Sequence, residues 1–323
     1  EDLIAAAVDR LPDSIDRLVI VPDSILYGFP FAALRADATG RPLATRYTIT
    51  YVPSATLWMR WKRRDSALVA GALSLADPEL LSEEVASEVR SAAPWIDGLD
   101  LGPLPHGRRE AEAVVRSLGG VMRVGQEASE RFLKTTDLSS FGLVHFAAHA
   151  VIDQRSPERS AILLAPGSET EDGLLQAREI VALDFDECVV VLSACRSASG
   201  ELLEGEGVVG LAHAFFQAGA RAVVGSLWPI RDREAADLME HLSAHLARGE
   251  SVSKSLGAAQ RALIEDGAPA AAWAGLVVLG DGDSVSVRSY PNRVSTGSVV
   301  AVAALLTAVT GVVGWRILAH RRR

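Results

Sequence analysis

The stretch Val189-Val190-Val191-Leu192-Ser193-Ala194-Cys195 narrows the choice of fold more than any other. Four consecutive apolar residues, three of them β-branched, lack the polar alternation of a strand with one wet face. They fit a strand covered on both faces, the habit of parallel sheets. The segment Val144-His145-Phe146-Ala147-Ala148-His149 has the same form, and its last residue lies 46 positions before Cys195. In open α/β sheets, sites gather at the carboxyl ends of strands, so two neighbouring strands of this kind set His149 beside Cys195. A free thiol titrates near ~8.5; an adjacent imidazolium favours the thiolate, and the imidazole can then protonate a leaving amine.

The rest of the chain alternates in the same sense. Strands are expected at 18–21, 46–52, 67–72, 121–124, 143–147, 161–164, 189–192, 222–226 and 276–279. Helices are expected within 2–16 (ending near Pro12) and at 108–118, 129–135, 175–183, 207–219, 233–248 and 252–265. Residues 60–65 read as a charged turn and 82–95 as a surface helix or loop. Strands spaced by helices imply βαβ units and a mostly parallel sheet.

Charge and cysteine content exclude several classes. Six arginines and no acid follow Ser284, which leaves 26 basic against 41 acidic residues in 1–283, net −15. Nothing there resembles a basic face for nucleic acid. Cys188 and Cys195 are the only cysteines. In one strand they stand about 23 Å apart, too far for a disulfide, which suits a reducing compartment. Cys188 reads as a plain strand-start residue. His145 and His149 are four apart, a metal spacing on a helix but not on a strand, and no acid lies beside them. His145 is therefore expected to be a packed or hydrogen-bonded core residue. His241 and His245 read as a solvated helix flank, and Gly205-Glu206-Gly207 lacks the Lys and Ser/Thr of a phosphate loop. No metal and no cofactor is expected.

Several segments resemble the CHAT family of caspase-like domains. They are the surroundings of His149 and Cys195, Gly205-Glu206-Gly207-Val208-Val209-Gly210-Leu211, and 219–229 ending in Ser226-Leu227-Trp228-Pro229. Upstream, Leu18-Val19-Ile20-Val21-Pro22-Asp23 and Gly28-Phe29-Pro30-Phe31-Ala32-Ala33-Leu34 resemble the opening of the same family. The likeness spans residues 11–283. The 46-residue separation also sits near the ~50 residues that part His from Cys in caspases. The resemblance implies a caspase–separase type α/β fold and cysteine peptidase activity, with His149 and Cys195 as the dyad. It further implies backbone N–H groups of Ala150 and Cys195 as oxyanion donors. Two positions depart from the family pattern. Ala150 replaces the glycine after the histidine, and Arg196-Ser197-Ala198-Ser199-Gly200 replaces a polar residue followed by Thr-Gly. These departures keep a second expectation in play, a pseudoprotease that serves as a membrane-tethered interaction module.

The loop Trp228-Pro229-Ile230-Arg231-Asp232 follows the 222–226 strand and should line the same sheet edge. Trp228, Arg231 and Asp232 are its specificity candidates: Asp232 for a basic P1 side chain, Arg231 for an acidic one. Asp232 can equally act as a helix N-cap. Near the end, 294–315 holds 22 residues without a charge, about 33 Å as a helix against a ~30 Å hydrocarbon core. The expected layout is 1–125 as a pseudo-caspase-like half and 126–283 as the catalytic half. A linker at 284–293, a transmembrane helix at 294–318 and a basic tail at 319–323 follow. Ala304, Thr307, Ala308 and Gly311 give that helix a small-residue face for self-association. Arg316 and Arg321–Arg323 outnumber Arg288 and Arg293, so charge favours a cytoplasmic C-terminus. A span this close to the end inserts after synthesis, however, and so the expectation is a tail anchor with the peptidase domain in the cytoplasm. The chain begins with Glu1, so a longer protein with an upstream sensor or repeat module is expected. The other expected partners are a protein or peptide substrate and a lipid bilayer.

Overall fold

Apolar and β-branched runs build thirteen strands among the described residues. These are β1 (Arg17–Ile20), β2 (Thr48–Tyr51), β3 (Ala67–Ala70), β4 (Ala72–Pro78), β5 (Gly120–Gly125), β6 (Leu143–Ala147), β7 (Ala150–Val151), β8 (Ala161–Leu163), β9 (Leu174–Gln176), β10 (Val189–Leu192), β11 (Ala222–Ser226), β12 (Leu276–Gly280) and β13 (Val285–Arg288). The computed structural model describes residues 4–289 except 9, 36–39, 64–66, 81–103, 154, 194–206 and 229. Eight strands form one sheet in the order β1-β2-β12-β11-β10-β6-β4-β5. Every neighbouring pair is parallel except β11 with β12. Strands β6, β10, β11 and β12 are buried at every position. That accounts for their unbroken apolar runs, since helices cover both faces of a sheet of this kind.

The Gly107–Leu118 helix packs on β4 and β6 and against the Asp232–Ala247 helix, which in turn packs on the Val252–Glu265 helix. The Gly207–Gln217 helix follows the segment that carries Cys195 and packs on β11. Residues 1–125 and 126–283 share the one sheet. The first supplies β1 and β2 at one edge and β4 and β5 at the other, while the second supplies the middle. Residues 1–290 group as one compact unit.

Three sequence expectations change. The turn expected at 60–65 begins within a helix, Ala55–Trp61, capped by the Ser54 hydroxyl, which accepts from Leu57 N. The surface helix or loop expected at 82–95 lies outside the described residues. The strand expected at 67–72 is two strands, parted at Gly71, whose φ of 80° lies in the left-handed region. There the chain leaves β3, which pairs with β13, and enters β4, which pairs with β5 and β6. The helix expected at 175–183 starts instead as β9, in register with β8, and turns helical only over Ala177–Ile180. Gln176 and Glu179 close a capping box at that switch. The hydrophobic spacing of Leu174, Leu175 and Ile180 suits either state, and pairing with β8 decides it. The helix expected at 294–318 lies outside the described residues, among which no helix is long and apolar enough to cross a membrane.

Candidate functional site

Strands β6 and β10 lie side by side in parallel register, Leu143 with Val189 through Phe146 with Leu192. Strand β6 ends at Ala147, two residues before His149, and β10 ends at Leu192, three before Cys195. The ladder runs one step further, because Ser193 N donates to Phe146 O at 3.2 Å. Both strand ends therefore open on the same sheet edge, as their sequences predict. Cys195 itself lies outside the described residues.

His149 is 2% exposed, at the junction of β6 with β7. Its carbonyl accepts from Leu163 N at 2.8 Å, which ties the junction to β8. In the antiparallel β7–β8 pair this bond makes His149 and Leu163 a hydrogen-bonded pair. Ala150 opposite Ile162 is then a non-hydrogen-bonded position, with its N–H directed away from β8. Downstream, Asp153 organises the turn: its Oδ1 accepts from Arg155 N and Ser156 N at 3.0 Å each, and its Oδ2 meets Arg159 at 2.8 Å.

Beneath the strand ends is a polar cluster. His145 Nδ1 lies 2.7 Å from Ser74 Oγ on β4, and Nε2 lies 3.2 Å from Glu110 Oε1 and 3.1 Å from Ser193 Oγ. Ser74, Glu110 and His145 are fully buried, and Ser193 is 1% exposed. His145 is thus the hydrogen-bonded core histidine that a strand position implies. Sequence reasoning missed its three partners. The signal for Glu110 was available, an acid four residues before Val114 on the buried stripe of Ala111, Val114 and Leu118.

The specificity candidates divide. Asp232 opens the Asp232–Ala247 helix but does not cap it; its Oδ2 accepts from His106 N at 2.7 Å, while Oδ1 is buried and accepts no hydrogen bond from a described residue. His106 begins the Gly107–Leu118 helix. A Cβ at Gly107 would stand 3.4 Å from the Ala147 Cβ, so this helix start abuts the end of β6. Asp232 is in this way linked to the strand that leads to His149. Trp228 is pinned by its Nε1 donating to Ala271 O at 3.1 Å and by the Ser226 hydroxyl on its carbonyl. Arg231 is 86% exposed and pairs at 3.6 Å with Glu234.

Glu130, Glu171 and Glu179 converge closely enough to suggest a metal site. The Lys134 ammonium already occupies it, 2.6, 2.6 and 2.8 Å from the three carboxylates. Although burial opposes its charge, those hydrogen bonds hold Lys134 above the ordinary lysine range, and the Lys134 contact lowers Glu171. The cation at this point is the protein's own. Cys188 is fully buried, and burial pushes its thiol up to about 12. It is an inert strand-start residue by comparison with a reactive thiolate.

Comparison with known proteins agrees with this architecture. Tetratricopeptide repeat protein 28 of Mus musculus is 26% identical over 307 residues, covering 82% of this chain; the Homo sapiens protein is 25% identical. The chain spans 12% of the length of these relatives. Among solved structures, the Arg-specific cysteine proteinase gingipain R matches with a TM-score of 0.52 at 11% identity, over 89% of this chain and 68% of that one. The separase of the Saccharomyces cerevisiae separase–securin complex matches at 0.46 and 17% identity, over 81% of this chain and 15% of that one. The likeness to gingipain R shows a shared fold, a mixed α/β architecture around a mostly parallel sheet. The CHAT domain profile matches residues 1–281, nearly the whole described chain, and the protein therefore belongs to the CHAT domain family.

Proposed function

We propose that the protein is a cysteine endopeptidase with Cys195 as nucleophile and His149 as general base and acid. The observation that carries this reading is the parallel β6–β10 pair, whose ends stop two and three residues short of His149 and Cys195 on one sheet edge. In the proposed cycle, the Cys195 thiolate attacks the scissile carbonyl and His149 protonates the leaving amine, leaving a thioester. Water, deprotonated by His149, then releases the acid and restores the thiol. The N–H of Ala150, directed away from β8, and that of Cys195 receive the oxyanion. No step calls on a cofactor. Asp232 is the proposed partner of a basic P1 side chain, supported by its oxygen that accepts no hydrogen bond from a described residue and by its link to the end of β6.

The deciding experiment is labelling by a peptidyl electrophile, mapped by mass spectrometry. Cys195 should label and Cys188 should not, with loss of label in Cys195→Ala and reduction in His149→Ala. Failure of Cys195 to label in the folded protein favours the rival, a pseudoprotease module. The apolar 294–315 segment supports a further part of the proposal, a tail anchor that holds residues 1–283 on the cytoplasmic side. Protection of that domain from protease in right-side-out vesicles, and digestion in inverted ones, is the expected pattern; the reverse sinks it.

A further inference from the structure

Ser74, Glu110, His145 and Ser193 are the residue types of a hydrolytic triad, yet none is more than 1% exposed. They lie beneath the sheet edge at which His149 stands, and not on that edge. What they can do there is hold the chain that leads to it. We propose that Glu110 acts through His145 as a positioning pair for the nucleophile: it fixes Ser193, two residues before Cys195, and so sets the Cys195 thiol against His149. This inference rests on the reading of Cys195 and His149 as nucleophile and base.

The geometry is that of a clamp across three strands. Ser74, His145 and Val191 lie in register on β4, β6 and β10, with His145 on the middle strand. Glu110 descends from the helix above onto Nε2 at 3.2 Å. Taking Glu110 as the acceptor places the ring proton on Nε2 and leaves Nδ1 to accept from the Ser74 hydroxyl, with the Ser193 hydroxyl donating to Phe146 O. Ser193 is held by its N–H on Phe146 O at 3.2 Å and by its hydroxyl, 3.1 Å from Nε2 and 3.5 Å from Phe146 O. It is the last described residue before the Cys195 segment.

Stability alone does not account for such a cluster. Apolar side chains at these four positions would fill the space without desolvating a carboxylate and an imidazole, and such replacements are often neutral or stabilising. Position does account for it. A nucleophile displaced by about 1 Å can lose on the order of a hundredfold in rate, so a rigid strand end has catalytic value. The same Gly107–Leu118 helix that presents Glu110 also abuts Ala147 and is tied by His106 N to Asp232. One helix thereby references both strand ends of the site and the P1 candidate.

The test uses the full chain with Ser193→Ala, Ser193→Thr and Glu110→Gln. Three quantities are read: iodoacetamide alkylation of Cys195 by peptide mapping, kcat and KM on a cleaved peptide, and hydrogen exchange of the residue-193 amide. Ser193→Ala should slow alkylation and lower kcat about tenfold, the scale of one lost buried hydrogen bond. Glu110→Gln, which keeps a neutral acceptor for Nε2, should do so about threefold, with KM unchanged in both. The residue-193 amide should exchange faster by a similar factor. Ser193→Thr, which keeps the hydroxyl, should restore all three to within about twofold. Wild-type alkylation and kcat in folded Ser193→Ala, or no rescue by threonine, overturns the proposal. Should wild-type Cys195 react no faster than a free thiol, the peptidase reading falls on its own. The exchange rate then decides the clamp, and unchanged exchange in Ser193→Ala and Glu110→Gln refutes it.

Discussion

The proposed P1 role gives Asp232 a second load beside its contact with His106, and Asp232→Asn and Asp232→Ala pull the two apart. Its Oδ2 accepts from His106 N at 2.7 Å, a charge-assisted bond at the start of the helix that abuts Ala147. Such a bond contributes about 1.5–3 kcal/mol, and a neutral acceptor about half of that. Asparagine keeps an acceptor for His106 N, so Asp232→Asn should cost about 1 kcal/mol in urea unfolding; Asp232→Ala, which leaves that N–H unpaired, should cost about 2 kcal/mol. The second, on the proposed reading, is recognition of a basic P1 side chain through the buried Oδ1 atom, which accepts no hydrogen bond from a described residue. Removing the charge opposite a bound guanidinium should cost about 3 kcal/mol, which is on the order of a hundredfold in kcat/KM. The assay is hydrolysis of two peptides that differ only in Arg or Leu at P1. Asp232→Asn should lose about a hundredfold on the Arg peptide and less than about threefold on the Leu peptide, if charge alone is changed. An equal loss on both peptides would mean that Asp232 acts only by placing the helix. Wild-type cleavage of the Arg peptide by Asp232→Asn would refute the basic-P1 assignment altogether.

Three further outcomes follow from the charged and thiol groups. Lys134→Met leaves Glu130, Glu171 and Glu179 facing one another, and should destabilise the fold by about 2–3 kcal/mol at neutral pH. Uptake of protons relieves that repulsion in the folded variant, so the deficit against wild type should shrink as pH falls toward the ordinary glutamate range near ~4.3; a deficit constant with pH refutes the charge argument. Burial raises the Cys188 thiol to about 12, so folded and unfolded chains are equally protonated below its ordinary value, and stability falls as pH rises through that window because only the unfolded chain ionises. The urea midpoint of wild type should accordingly drop more than that of Cys188→Ala between roughly pH 9 and 11, and parallel curves would count against it. Arg221→Leu strips the 2.9 Å partner from Asp281, which is fully buried and keeps only Lys62 at 3.3 Å; unfolding should ease by about 3 kcal/mol, with a near-neutral result pointing to relaxation of Asp281 toward solvent.

The strand register of the site was legible because burial on both faces writes itself as an unbroken apolar run. Residues 143–147, 189–192 and 222–226 are strands with the bounds expected, and their order delivers His149 and the approach to Cys195 to one edge. Strand β4 was not legible. Ala72, Ser74 and Ala76 are too small to mark a buried face, and the backbone break falls at a glycine inside what reads as one strand. Asp232 was legible as a candidate but not in its use. The sequence offers it as a cap for its own helix, whereas its carboxylate reaches His106, 126 residues away. Local pattern identifies helix starts; it carries no information about a second helix start brought alongside by the sheet.

The same limit explains why the partners of His145 escaped notice while the two dyad candidates did not. Ser74, Glu110 and Ser193 lie 71, 35 and 48 positions from His145, and they meet only because β6 is inserted between β4 and β10. Each contact closes a long loop, whose entropy is recovered only once the strands on both sides are in place. A chain with β10 docked but β4 absent would hold His145 by one side, with Nδ1 facing no Ser74 hydroxyl. The strand end before Cys195 then keeps the Ser193 contacts to Phe146 O and His145 but lacks the β4 support behind that imidazole. On the proposed reading, the 126–283 segment contains both members of the dyad but not all of their supports. His149 and Cys195 follow strands from the middle of the sheet, whereas Ser74 comes from β4 and Glu110 from the Gly107–Leu118 helix.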